Sequence, residues 1–152
     1  MNLPPPSPDA RIFSDTLVKR LALEIREAGG WIAFDHFMAR ALYAPGMGYY
    51  SGGALKFGAA GDFITAPEIS PAFGHTLAAQ AAQVMALSAP HLLEVGAGSG
   101  RLAADILQAL EQRNALPETY AILDLSGELR ARQQATLARD VPHLLDRVRW
   151  LD

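Results

Sequence analysis

Hydrophobic residues recur at helical spacing in the first part of the chain, which predicts helices there. A first helix is predicted to begin at Ser14 or Asp15, both good caps, and to end before the Gly29–Gly30 pair. Residues 1–13 before it are rich in proline and are predicted to form a flexible or extended tail. A second, short helix is predicted to follow Asp35.

A third helix is predicted to open at Ser70, with Pro71 at its first helical position. Its apolar stripe lies on one face, which we expect to be buried, and consists of Phe73, Leu77, Ala81, Val84 and Met85. Between Tyr49 and Gly61 the chain is rich in glycine and has no helical period, which favours a loop with at most a short strand or hairpin.

The second half of the chain alternates between strand and helix patterns. Strands are predicted at His91–Val95, Tyr120–Leu125 and Val148–Leu151, and helices at Arg101–Gln112 and Glu128–Arg139. Such alternation is typical of an α/β fold with a parallel sheet and right-handed crossovers. In these folds a ligand crevice lies at the carboxyl ends of the strands.

Composition narrows the range of functions. The chain has 152 residues, half of them hydrophobic, which is enough to bury a core. Charged residues make up 19% and the net charge is −3, so we expect neither a nucleic-acid nor a membrane partner. The chain has no cysteine and only four scattered histidines, so no metal site is expected. No signal peptide or membrane span is recognisable, which favours the cytoplasm.

A glycine-rich turn is the strongest functional signal in the sequence. The first predicted strand ends in Glu94 and leads into Gly96–Gly100, where glycines occupy alternate positions before a helix start. Glycine allows close approach of a ligand, and a helix N-terminus offers free N–H groups to an anionic group. A dinucleotide motif would need a third glycine at position 101, which is Arg101, so a nicotinamide-dependent oxidoreductase is disfavoured. The acid and the three glycines resemble instead the first motif of class I S-adenosylmethionine methyltransferases.

Two further places carry candidate binding groups. Asp124 ends the second strand of the alternating part, where a carboxylate can accept hydrogen bonds from ribose hydroxyls. The alternative is that Asp124 or Ser126 only caps the next helix. Glu94 likewise either contacts the cofactor or holds the glycine turn through backbone N–H groups. The loop before the third helix offers Asp62, Thr65 and Glu68 as ligand contacts.

Several longer motifs together resemble the MidA family of S-adenosyl-L-methionine-dependent methyltransferases. They are the segment Phe34–Tyr50, the run G-D-F-I-T-A-P-E-I-S-P-A-F-G over Gly61–Gly74, the glycine turn, and Leu123–Ser126 followed by Leu129-x-x-R-Q. The resemblance covers nearly all of residues 14–152. It implies a SAM-binding Rossmann-like domain, incomplete here at 90–152, preceded by an N-terminal helical region at 14–89 that carries a loop on the cofactor side.

The resemblance also implies function and site residues. Mitochondrial members of the family act as arginine methyltransferases in respiratory complex I assembly, so a protein substrate is implied, as is the mitochondrial matrix if the source is a eukaryote. The expected cofactor-binding residues are Glu94, Gly96, Ala97, Gly98, Gly100, Asp124, Asp62, Thr65 and Glu68, and no catalytic residue is assigned. Family members are more than twice as long, so the chain resembles their N-terminal part and is expected to be inactive alone and to self-associate through its open sheet edge. The alternative is a non-catalytic binding or assembly module that keeps the cofactor loop.

Overall fold

A computed structural model describes residues 5–52 and 64–151, and the chain divides into two compact units, Met1–Gly53 and Ala54–Asp152. The first unit contains helix α1 (Pro8–Glu27) and helix α2 (Phe34–Tyr43). Within it, the Glu24 carboxylate of α1 accepts a hydrogen bond of 3.0 Å from the Arg40 guanidinium of α2.

Helix α1 begins at Pro8, so the prediction of a tail up to residue 13 with a cap at Ser14 or Asp15 is wrong. The hydroxyl of Ser7 caps the helix by accepting from the backbone N–H of Ala10 at 3.2 Å. Proline has a φ suited to the first helical position and lacks only an N–H that would be unpaired there. The last proline of the predicted tail therefore starts the helix.

The second unit is built around a parallel sheet. Its elements are α3 (Ala66–Ile69), α4 (Ala72–Leu87), β1 (His91–Val95), α5 (Arg101–Gln112), β2 (Thr119–Leu123), α6 (Gly127–Asp140), a 3-10 helix (Pro142–Arg147) and β3 (Val148–Leu151). The strands lie in the order β1-β2-β3, and both neighbouring pairs are parallel. This confirms the predicted α/β fold, although β2 ends two residues before Leu125 and α3 occupies part of a predicted loop.

The two faces of the sheet differ in burial. The register aligns Leu92 with Tyr120 and Tyr120 with Val148, and this row packs into the core with α5 and α6. On the opposite face, Leu93 and Val95 of β1 are 61% and 70% exposed. The hydrophobic core of the unit therefore lies on one side of the sheet.

Helix α4 packs by its small residues rather than by its large ones. Gly74, Ala78 and Met85 are its buried residues, whereas Leu77 and Val84 are 38% and 62% exposed. The prediction that the large apolar stripe is buried is thus wrong for most of its members. The reason is close helix packing: a Cβ built on Gly74 would lie only 2.6 Å from the Cβ of Asp105 on α5.

Candidate functional site

A cavity of about 270 Å³ lies against the glycine turn between β1 and α5. It is lined by the end of β1, by Gly96–Ser99, by the first residues of α5 and by the segment around α3. Gly96 adopts a φ of 71°, and a Cβ built there would meet no protein atom within 4 Å. The backbone of this turn therefore requires glycine for its conformation, and the space beside it is open to a ligand.

Gly100 has a different role from Gly96. It is buried and caps α5 with a φ of 82°, and a Cβ on it would lie 2.9 Å from the Cα of Gln133 in α6. Gly100 is also absent from the lining of the cavity. Its missing side chain makes room for α6.

Glu94 points from β1 toward the cavity and is held by Tyr120, which lies diagonally opposite it on β2. Its carboxylate accepts a hydrogen bond of 2.8 Å from the hydroxyl of Tyr120, a residue that is 2% exposed. Burial raises the pKa of Glu94, the hydrogen bond from Tyr120 opposes that change, and the nearby Asp124 carboxylate adds to it. Burial, and then the charge of Glu94, likewise raise the pKa of Tyr120. Tyr120 thus stays a hydrogen-bond donor at any physiological pH.

Helix α3 brings a second carboxylate to the same cavity. Glu68 accepts a hydrogen bond from the hydroxyl of Ser99, which lies in the glycine turn. Thr65, directly before α3, also lines the cavity. The segment that precedes α4 in sequence is therefore connected to the glycine turn in space, and the ligand contacts of Thr65 and Glu68 stay a prediction.

Asp124 lies beyond the end of β2 and is 7% exposed. One carboxylate oxygen accepts from the backbone N–H of Ser126 at 3.0 Å, and the other accepts from the side-chain amide of Gln133 at 2.8 Å. The cap of α6 is Ser126, whose hydroxyl accepts from the N–H of Leu129. The structure thus confirms Ser126, and not Asp124, as the helix cap named in that alternative, and ribose binding by Asp124 stays a prediction.

Arg101 forms an ion-pair network where a dinucleotide motif would have glycine. Its guanidinium lies 2.6 Å from Asp105 in α5 and 2.7 Å from Asp140 at the end of α6. Asp105 is 1% exposed. Arg101 therefore fastens two helices together at the border of the cavity.

The structure brings most of the predicted site residues together. Those that line the cavity are Thr65, Glu68, Glu94, Gly96, Ala97 and Gly98. Asp124 is connected to the turn through Gln133, whose amide also donates to the carbonyl oxygen of Gly98. Asp62 lies outside the described residues. The sequence interpretation missed Ser99 and Gln133, although Ser99 lies in the glycine turn and Gln133 is the last residue of the Leu129-x-x-R-Q motif.

A metal-ligand cluster and a membrane-spanning helix are both absent from residues 5–52 and 64–151. Within these ranges, no three His, Asp or Glu side chains are grouped so that they could hold a metal ion. Nor does any helix there have the length and apolar character needed to cross a membrane.

Three comparisons with known proteins agree with one another. Residues 76–152 match a family described as "Putative S-adenosyl-L-methionine-dependent methyltransferase". The mitochondrial protein arginine methyltransferase NDUFAF7 of Danio rerio is 41% identical over 112 residues, which are 70% of this chain and 26% of that protein. A crystal structure of a COG1565 superfamily member from Burkholderia thailandensis, bound to S-adenosyl-homocysteine, superposes with a TM-score of 0.88 at 54% identity. The match covers 99% of this chain and 40% of the other, so the chain spans well under half the length of these relatives.

Proposed function

This chain belongs to the family of S-adenosyl-L-methionine-dependent methyltransferases, and from that premise we propose that it binds S-adenosyl-L-methionine (SAM) in the cavity at its glycine turn. The observation that carries the proposal is the open space beside Gly96 at the N-terminus of α5, with two carboxylates on its border. A helix N-terminus attracts an anionic group, and carboxylates accept from hydroxyl and ammonium groups. SAM carries all three kinds of group.

The residues of the cavity fit this cofactor in distinct roles. The backbone N–H groups at the start of α5 are suited to its carboxylate. Glu94 and Glu68, which line the cavity, provide acceptors for its polar and cationic groups. Asp124 is not part of the lining but is connected to the turn through Gln133, and we expect it to accept from the ribose hydroxyls. When bound, SAM would supply a sulfonium methyl group for in-line transfer to a nucleophile, with the methyl C–S bond breaking and S-adenosyl-homocysteine as the leaving group. Positioning of the two reactants then supplies much of the rate.

We propose a protein arginine as the methyl acceptor of the whole enzyme. The support is that the NDUFAF7 relatives are protein arginine methyltransferases, of which the mouse protein is 34% identical over 82% of this chain. Arginine is protonated at neutral pH, so the acceptor site must also provide carboxylates that orient the guanidinium. The same relatives are mitochondrial proteins, so we expect the matrix if the source is a eukaryote and the cytoplasm otherwise.

Calorimetry with S-adenosyl-homocysteine (SAH), SAM and NAD tests cofactor binding. We expect heat of binding with SAH and SAM and none with NAD. Binding of NAD alone would instead support an oxidoreductase, and no binding of any of the three would support an assembly module.

A labelling experiment tests the acceptor. The chain replaces the matching segment of the Burkholderia thailandensis protein, and the chimaera is incubated with protein extract and SAM carrying a labelled methyl group. Labelled methylarginine after acid hydrolysis is the expected product. Label found only on another amino acid or on a small molecule would contradict an arginine acceptor.

A further inference from the structure

Gln133 occupies the centre of a buried polar network. Its side chain is fully buried, and it lies on α6 where Gly100 lets the two backbones approach closely. The indole N–H of Trp150 in β3 donates to its carbonyl oxygen at 3.1 Å. Because an indole N–H can only donate, this contact fixes which end of the amide is oxygen.

The other end of the amide faces the cofactor side of the fold. The Nε2 group donates to the Asp124 carboxylate at 2.8 Å and to the carbonyl oxygen of Gly98 at 3.3 Å. Both of its hydrogens are thereby used, one on the acid that follows β2 and one on the glycine turn after β1. The Gln133 amide thus connects the Asp124 carboxylate with the Gly98 carbonyl, which are the two protein groups expected to face the ribose and the atoms next to it.

Asp124 retains acceptor capacity in this arrangement. An ionised carboxylate has about four lone-pair sites, and the described bonds from Ser126 and Gln133 use one on each oxygen. We propose that Gln133 is a positioning residue for cofactor binding, which holds the Asp124 carboxylate and the Gly98 carbonyl in the orientation that receives the ribose. This inference rests on the proposed SAM site, and it adds a residue that does not line the cavity.

Substitution by a side chain of similar size but without the amide tests the role. Gln133→Met should weaken SAH binding about tenfold in calorimetry, the loss expected for a hydrogen bond to a charged group. Asp124→Ala should weaken SAH binding by a similar or larger factor. Because Gln133 acts largely through Asp124, the double variant should bind only slightly more weakly than Asp124→Ala, through loss of the longer contact with Gly98. Independent, multiplied losses would overturn the proposal.

A second variant gives a readout that a purely structural role would not change. Gln133→Glu places a carboxyl group beside Asp124, and this group can donate a hydrogen bond only while it is protonated. Its affinity for SAH should therefore approach that of the wild type at low pH and fall more steeply than the wild type as the pH rises. Gln134→Glu changes the adjacent, exposed residue of α6 and should follow the wild-type pH profile.

The outcomes separate this inference from the proposed function. No SAH binding by the wild-type chain would overturn both. Binding by the wild type together with unchanged affinity in Gln133→Met, or a wild-type pH profile in Gln133→Glu, would overturn the role of Gln133 and leave the SAM site intact. Thermal unfolding of each variant shows whether the fold is retained, and Gln133→Glu at low pH serves as the test if Gln133→Met does not fold.

Discussion

At the scale of single residues, the glycines of the turn have distinct physical roles. Gly96 faces open space in the cavity, whereas Gly100 faces the backbone of α6. Spacing in a sequence cannot separate these roles, because both residues adopt positive φ and lie in one motif. The motif therefore predicts where the site lies, and the direction of each missing Cβ determines what each glycine does.

Gly96→Val should abolish measurable SAH binding, because the added side chain occupies space that the ligand needs. A non-glycine residue at this φ also costs about 1–3 kcal/mol of stability. Gly46→Val is a matched control, since Gly46 has a φ of 69° and likewise no atom within 4 Å of a built Cβ. Both variants should lose similar stability in denaturant titration, and only Gly96→Val should lose SAH affinity. Equal SAH affinity in the two variants would contradict the site.

Glu94 should make the stability of the fold depend on pH. Because its pKa is raised in the folded state, the native protein binds a proton more tightly than the unfolded chain does. The free energy of unfolding therefore falls as the pH rises above 4.5, the usual pKa of a glutamate side chain, and through the folded pKa. Glu94→Gln keeps an acceptor for Tyr120 and removes the charge, so it should be more stable than the wild type at pH 7.

The gain from Glu94→Gln should shrink as the pH is lowered toward 4.5, which chemical denaturation at several pH values would measure. Glu118→Gln, which changes an exposed carboxylate in the same unit, should show no such pH-dependent gain. A constant difference between Glu94→Gln and the wild type across this range would show that Glu94 is not the titrating group.

At the scale of secondary structure, the sequence patterns predicted the helices and strands well and their packing less well. The bounds of β1, α5 and β3 agree with the hydrophobic periodicity. For α4, the same rule selected the wrong face, because it gives weight to large side chains. The helix instead packs through Gly74 and Ala78, and such close contacts depend on a partner helix that local sequence does not reveal.

The contact between α4 and α5 should be sensitive to a single methyl group. Gly74→Ala would bring a Cβ to 2.6 Å from that of Asp105, so one of the two helices must move. We expect a loss of about 1–3 kcal/mol in the free energy of unfolding, typical of an overpacked core. Gly127→Ala, where a Cβ would meet no atom within 4 Å, is the control and should be nearly neutral. Equal stability of both variants would mean that the helices are less closely packed than described.

At the scale of the whole molecule, the parallel α/β sheet follows from the alternation of strand and helix patterns along the second half of the chain. The difference in burial between the two faces of the sheet does not follow from the sequence, since Leu93 and Val95 have the same apolar character as the buried residues. What covers a sheet face is a tertiary property. The network around Gln133 is likewise invisible to periodicity, because its members come from different elements of the second unit.

The exposed apolar face of β1 should make the isolated chain self-associate. Light scattering should show a molecular mass that increases with protein concentration, and Leu93→Lys should reduce the increase by placing a charge on that face. We also expect no methyl transfer from labelled SAM by the isolated chain. A monomer over a wide concentration range, or methylation of a protein arginine by the chain alone, would contradict the respective part of this prediction.

Trp150 is a natural fluorophore, and its hydrogen bond to Gln133 links it through that one side chain to Asp124, the acid proposed to bind the ribose. The chain has two tryptophans, and the other, Trp31, is 72% exposed and belongs to the first unit. The variant Trp31→Phe should therefore keep Trp150 as its single tryptophan, and the emission of Trp150 reports on its contact with the Gln133 amide. Titration of this variant with SAH should change its emission intensity or wavelength, so that ligand binding can be followed without any added dye.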